Sequence, residues 1–200
     1  RYLERVGSHA LWFLGFISVL TLSSQSLDAA TQIVPEELTQ AIVVDDGFGI
    51  ADAQMKWTAE ADERVLLIWA TGTLLSTSDL PEGLRMIQEK DDRGLRFQLY
   101  AGTAGEYQVN FRYQVEVQTE KSSRIVLPTG FALSHRARIE ISDTNIALSS
   151  KYAVSVKEVA GASAKKSVFD VIFKPGGQCA FARLPKQRDP SEEQAAFLVE

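Results

Sequence analysis

Between residues 105 and 117 the chain alternates without a slip. Tyr107, Val109, Phe111, Tyr113, Val115 and Val117 stand against Glu106, Gln108, Asn110, Arg112, Gln114 and Glu116. A strand sends successive side chains to opposite faces, so this stretch predicts a β-strand with one apolar and one wet face. A one-residue slip would put every apolar member in water, and each large side chain left unburied forfeits roughly 1.5–3 kcal/mol. This strand is therefore read as the spine of an antiparallel sheet, with the rest of the chain pairing with it or covering it.

The same two-residue rhythm returns on both sides of it. Ala51, Ala53, Met55 and Trp57 share one side of residues 48–59, and Leu95, Phe97 and Leu99 alternate, as do Ala137, Ile139 and Ile141. Residues 64–70 form a continuous apolar run of strand length, the mark of a strand covered on both faces. Shorter strands are expected at 42–44, 73–78, 84–88, 124–127, 146–148, 152–159, 167–173 and 178–184. Gly72 reads as the site of a bulge. Turns are signalled by Asp45-Asp46-Gly47, Asp62-Glu63, the 79–83 segment, the 90–94 hairpin tip and Pro175-Gly176-Gly177. Two stretches read differently. Residues 34–41, with Pro35 and two acids at the start, predict a single helical turn, and Asp189-Pro190 opens either a helix or another strand. About ten short strands at such spacings, with no helical period between them, predict an all-β fold: an antiparallel β-sandwich.

Ahead of this body lies an uncharged apolar run, residues 10–22, preceded by Arg1, Arg5 and His9 and followed by Ser23, Ser24, Gln25 and Ser26. That order describes a secretory signal peptide over residues 1–30, with cleavage after Ser26 or after Ala29. The run is shorter than the roughly 20 residues a membrane span needs, so no stable span is expected in the mature part. A buried or interfacial helix is the alternative. Three parts are thus expected: the leader 1–30, a sandwich domain 31–188, and a segment from 189 to 200 that starts something further. An opening on Arg rather than Met is expected of a piece of a longer product.

Composition narrows the function classes. A share of 45% hydrophobic and 24% charged residues is that of an ordinary globular chain. A net charge of −5 without a Lys/Arg patch argues against nucleic acid. The single cysteine, Cys179, excludes an intrachain disulfide and a cysteine-rich zinc site, and reads as a small buried hydrophobe.

Chemistry is sparse. After leader removal His135 is the one histidine, and its neighbour Ser134 would point to the opposite face of a strand, so the two are no nucleophile and base. A surface or edge-strand histidine is expected. The carboxylate pairs Asp45-Asp46, Asp91-Asp92 and Glu192-Glu193 would permit glycoside hydrolysis only at the right separation, and all sit beside turn residues. Asp45, Asp46 and Asp52 around Gly47 and Gly49 form a weak candidate for Ca²⁺, although their spacing is not that of an EF-hand. Gly47-Phe48-Gly49 lacks what a phosphate cradle needs. Trp57 and Trp69, with Tyr100 and Tyr107, offer either a sugar-stacking platform or ordinary core.

In order along the chain come the leader, Val34-Pro35-Glu36-Glu37-Leu38, Asp46-Gly47 before a strand, Gly105 before the alternating strand, Leu127-Pro128-Thr129, and Pro185-Lys186-Gln187-Arg188-Asp189. This order resembles the amino-terminal β-sandwich region of large exported envelope proteins of planctomycete- and verrucomicrobium-like bacteria. The resemblance covers residues 34–200 and rests on turn and strand signals. It implies an extracytoplasmic module, in the periplasm or at the cell surface, within a longer protein whose other domains or fellow envelope proteins are its partners. It supplies no catalytic residue. The function expected is thus that of a non-catalytic binding or structural module. A carbohydrate-binding module using Trp57 and Trp69, with polysaccharide as partner, is the first alternative, and a carboxylate-dependent hydrolase the second.

Overall fold

Backbone hydrogen bonding in the computed structural model is that of strands throughout. It describes residues 33–45, 47–91, 94–117, 124–160, 165–176 and 178–186. The leader and the segment after 188 lie outside the described residues, as do Asp46, Asp92, Glu192 and Glu193. Thirteen strands are described: β1 (Glu37–Asp45), β2 (Phe48–Ala59), β3 (Arg64–Trp69), β4 (Gly72–Thr77), β5 (Leu84–Asp91), β6 (Gly94–Ala101), β7 (Gly105–Glu116), β8 (Arg124–Val126), β9 (Ser134–Ile141), β10 (Ile146–Ser149), β11 (Ala153–Glu158), β12 (Ser167–Phe173) and β13 (Ala180–Pro185). Among the described residues no helix is long and apolar enough to cross a membrane.

The strands form a β-sandwich. A seven-stranded sheet runs β11-β12-β9-β1-β2-β7-β4, and two three-stranded sheets, β10-β13-β8 and β3-β6-β5, pack on its inner face around one core. Four rows of inward side chains cross the large sheet, and register pairs define each. Phe173, His135, Leu38, Met55 and Val109 make the first, and Val171, Ala137, Gln40, Ala53 and Phe111 the second. Phe169, Ile139, Ile42, Ala51 and Tyr113 make the third, and Ile141, Val44, Gly49 and Val115 the fourth. The alternating strand behaves as its pattern dictates: Tyr107, Val109, Phe111, Tyr113 and Val115 are buried, and their neighbours face out.

Four expectations are corrected. Residues 37–41 belong to β1 and not to a helical turn, because Leu38, Gln40, Ile42 and Val44 all point inward with strand periodicity. The sheet is mixed: β1 pairs in parallel with β9, so the centre of the sheet is β1, and β7 lies one place from the edge. Among the described residues the register shifts fall at Leu66/Ile68 in β3, Leu74/Ser76 in β4 and Ala153/Ser155 in β11, and not at Gly72. Gly72 has another reason to be glycine, since a Cβ there would sit 2.5 Å from Pro128 Cγ. Finally, His135 is neither on the surface nor at an edge: it is 2% exposed on β9, between β12 and β1.

Candidate functional site

The inner face of the large sheet is largely apolar; Ser167 is buried at one end of β12, and the main polar cluster is built around Gln40. Gln40 is flanked in its row by Ala137 and Ala53, and these small neighbours leave room for a long polar side chain inside the sandwich. Its Oε1 accepts from the Tyr113 hydroxyl, two residues along the sheet. Its Nε2 donates to His135 Nε2 at 2.5 Å and to Thr129 Oγ1 at 3.3 Å. An amide nitrogen can only donate, so His135 Nε2 accepts, and the neutral ring then has its proton on Nδ1. Nδ1 lies 2.9 Å from Cys179 Sγ, toward which that proton points. Phe173 closes the last side of the imidazole, with ring centroids 4.8 Å apart.

Five residues from five places in the chain thus make one buried network: β1, β7, β9, the loop before β9, and the residue preceding β13. Its electrostatics follow from burial. Removal from water holds the His135 imidazole down at about 4, so it is neutral at pH 7. The same desolvation pushes the Cys179 thiol up to about 12, and raises Tyr113 well above the ordinary phenol value, helped by nearby Cys179. The thiol and imidazole are therefore a neutral pair, opposite in charge state to an activated thiolate–imidazolium. With the donors and acceptors matched, the arrangement specifies geometry inside the core.

The residues singled out from sequence are not brought together. The ring of Trp57 is 2% exposed and stacks at an angle on Tyr107, 6.0 Å between centroids, so it offers no face to a sugar. Its Nε1 has no hydrogen-bond partner among the described residues. Trp69, at the end of β3, is half-buried beside a separate cavity. Asp45 closes β1 opposite Phe48, whereas Asp52 lies opposite Ala41, four rungs away or roughly 13 Å along the strand. Asp52 is ion-paired with Arg112 at 3.5 Å. Among the described residues no three His, Cys, Asp or Glu side chains converge to hold a metal. Asp46, the third calcium candidate, lies outside the described residues.

Sequence reasoning missed the network, although a signal was present. Gln40 is in phase with Leu38, Ile42 and Val44, and His135 with Ala137, Ile139 and Ile141. Phase alone placed both on the buried face.

The outer face of the same sheet is charged and ordered. One row reads Asp170, Arg138, Ala41, Asp52 and Arg112, with Arg138 3.8 Å from Asp170. The small Ala41 leaves a shallow hollow of about 680 Å³, bordered by Thr39, Gln54, Ser76 and Asn110.

No family model matches the chain, and no curated protein matches it. Solved structures do resemble the fold. An M1 zinc metallopeptidase from Deinococcus radiodurans superposes with a TM-score of 0.52 at 8% identity, over 76% of this chain and 42% of that one. The same peptidase bound to a Tyr-Ser-Ala substrate gives a TM-score of 0.53 at the same identity and coverage. A two-domain M1 zinc metallopeptidase bound to L-tryptophan gives 0.52, again at 8%. The chain therefore spans about two fifths of the length of these structures, 42% in each. At such identity the likeness is one of fold.

Proposed function

We propose that residues 33–186 are a non-catalytic β-sandwich module, exported from the cytoplasm, that serves as a binding or structural part of a longer envelope protein. One observation supports this most. The groups best able to do chemistry, His135 and Cys179, are sealed in the core and held neutral, while the outer face of the large sheet presents a strip of alternating charge. The members of that strip are half-exposed or more, so such pairs contribute only about 0–1 kcal/mol to stability. Alternating sign instead steers and registers a complementary surface. Burial of Trp57 weighs against the carbohydrate-binding alternative.

The fold likeness favours a second, narrower reading: the module is the non-catalytic β part of a peptidase chain, with any catalytic machinery outside residues 33–186. Both readings are tested by expressing this chain and the remainder of its gene product as separate polypeptides and titrating one with the other. Association is expected, weakened at least about tenfold by Arg112→Glu with Arg138→Glu, a loss near 1.4 kcal/mol. No association, or association indifferent to both reversals, overturns the docking reading. Peptidase activity that appears only in the remainder selects the narrower one. Mass spectrometry of the mature amino terminus tests export, with cleavage after Ser26 or Ala29 expected and an intact leader in the cytoplasmic fraction opposing it.

A further inference from the structure

A cavity of about 390 Å³ opens between the end of β3, the loop joining β8 to β9, and the start of β13. Trp69, Phe131 and Val126, all partly exposed, form its walls, and the buried Leu127, Thr129 and Cys179 lie deeper. In a chain of which 24% is charged, none of the side chains lining it carries a charge. The frame is held by main chain. Trp69 N donates to Pro128 O at 2.8 Å, and Leu127 N to Cys179 O at 2.8 Å. Thr129 bridges to Ile68, and the missing side chain of Gly72 lets Pro128 approach. The walls therefore do not need to be ordered by a ligand, which lowers the cost of binding one. A preformed pocket with apolar, aromatic walls and few polar groups, in the range of roughly 300–1,000 Å³, is the form that small-molecule sites take.

We infer that this cavity binds a small, uncharged aromatic molecule bearing an acceptor oxygen. Neutrality follows from the lining, since an ionised ligand would be desolvated there without a counter-charge. An aromatic body fits between Trp69 and Phe131, where offset or edge-on ring contacts are available. The acceptor follows from Gln178: its Oε1 is taken by Arg124 Nη2 at 2.6 Å, so its Nε2 is the end that donates.

The test uses the full chain and acetophenone as probe, followed by ligand-observed NMR and calorimetry. Saturable binding is expected, with benzoate at least about tenfold weaker because its carboxylate would be desolvated among uncharged lining side chains, while the nearby Arg124 is already engaged by Gln178 Oε1. Val126→Trp and, independently, Thr71→Trp in the exposed β3–β4 turn should fill the opening and weaken acetophenone at least about tenfold. The inference is overturned by absence of saturable binding, by benzoate binding equally, or by a filled variant that keeps the native melting curve and the native affinity. A blocked phenylalanine amide binding more than about tenfold tighter than acetophenone would also overturn it, and would assign the cavity to an aromatic side chain of a partner polypeptide.

Discussion

His135 makes the stability of this fold depend on pH in a window where few other groups titrate. Its folded value is about 4, against an ordinary 6.5, and burial is the cause. Above 6.5 the ring is neutral in both states, and the stability of the fold is undiminished by it. As pH falls below 6.5 the unfolded chain takes up a proton that the folded chain refuses, so unfolding is favoured. The loss grows until pH reaches the folded value, and a gap from 6.5 to about 4 amounts to roughly 3 kcal/mol. About 2 kcal/mol of it is gone by pH 5, before most carboxylates begin to titrate. The groups packed on the ring are Gln40, Cys179 and Phe173, none of them anionic at these pH values. Among the described residues these contacts bring no carboxylate to stabilise the imidazolium. Urea denaturation at half-unit steps from pH 7.5 to 4.5 measures the effect, with His135→Gln as comparison, because a neutral amide retains hydrogen bonding without titrating. The wild type should lose about 2 kcal/mol relative to the variant between pH 7 and 5. Parallel curves for the two proteins would refute the reasoning, as would a wild type that grows more stable across this range.

Further outcomes follow from the same structure. Gln40→Leu leaves the Tyr113 hydroxyl and His135 Nε2 buried without their partner, so it should cost about 2–5 kcal/mol in chemical denaturation, whereas replacing Gln40, Tyr113, His135 and Cys179 together by Leu, Phe, Phe and Ala should cost far less than the sum of the four single changes. Additive costs would show that the network is not a unit. Gly72→Ala drives a methyl to within 2.5 Å of Pro128, and a melting temperature lowered by several degrees (about 1–3 kcal/mol) is expected, partly restored by Pro128→Ala. Phe111→Ala in the core should cost about 3–5 kcal/mol, and Leu75→Ser at the exposed β4 bulge within about 0.5, both read from urea midpoints.

Where alternation was strict, the sequence was legible. β2, β7 and β9 carry inward residues in unbroken phase, and burial of that face leaves only one register. The start of β1 was misread because Pro35-Glu36-Glu37 resembles a helix start, and because a polar Gln40 interrupts the apolar set that continues through Ile42 and Val44. The parallel β1–β9 pairing could not be read at all. It joins segments on either side of seven other strands by backbone hydrogen bonds that leave no mark on side-chain pattern. The polar network was hidden for a related reason. Gln40 meets Thr129 and His135 across 89 and 95 positions, and Cys179 meets His135 across 44, so no short motif records them. Trp57 and Trp69 had identical standing in sequence. Phase separated only the first, because Trp57 belongs to the alternating β2 while Trp69 ends a run buried on both faces.

The position of the network explains why a sandwich with a largely apolar interior gathers four polar side chains and a thiol at this place. Apolar contacts are non-directional, so the loop before β9 and the start of β13 could settle over the large sheet in several ways at similar cost. Hydrogen bonds discriminate between such arrangements, since a misplaced buried donor or acceptor costs about 1–3 kcal/mol. Thr129 ties the loop to Gln40 on β1, and Cys179 ties the entry of β13 to His135 on β9. These same two residues form the deep part of the uncharged cavity. The polar centre of the core and the floor of that cavity therefore share residues: Thr129 and Cys179 both bond into the network and line the cavity.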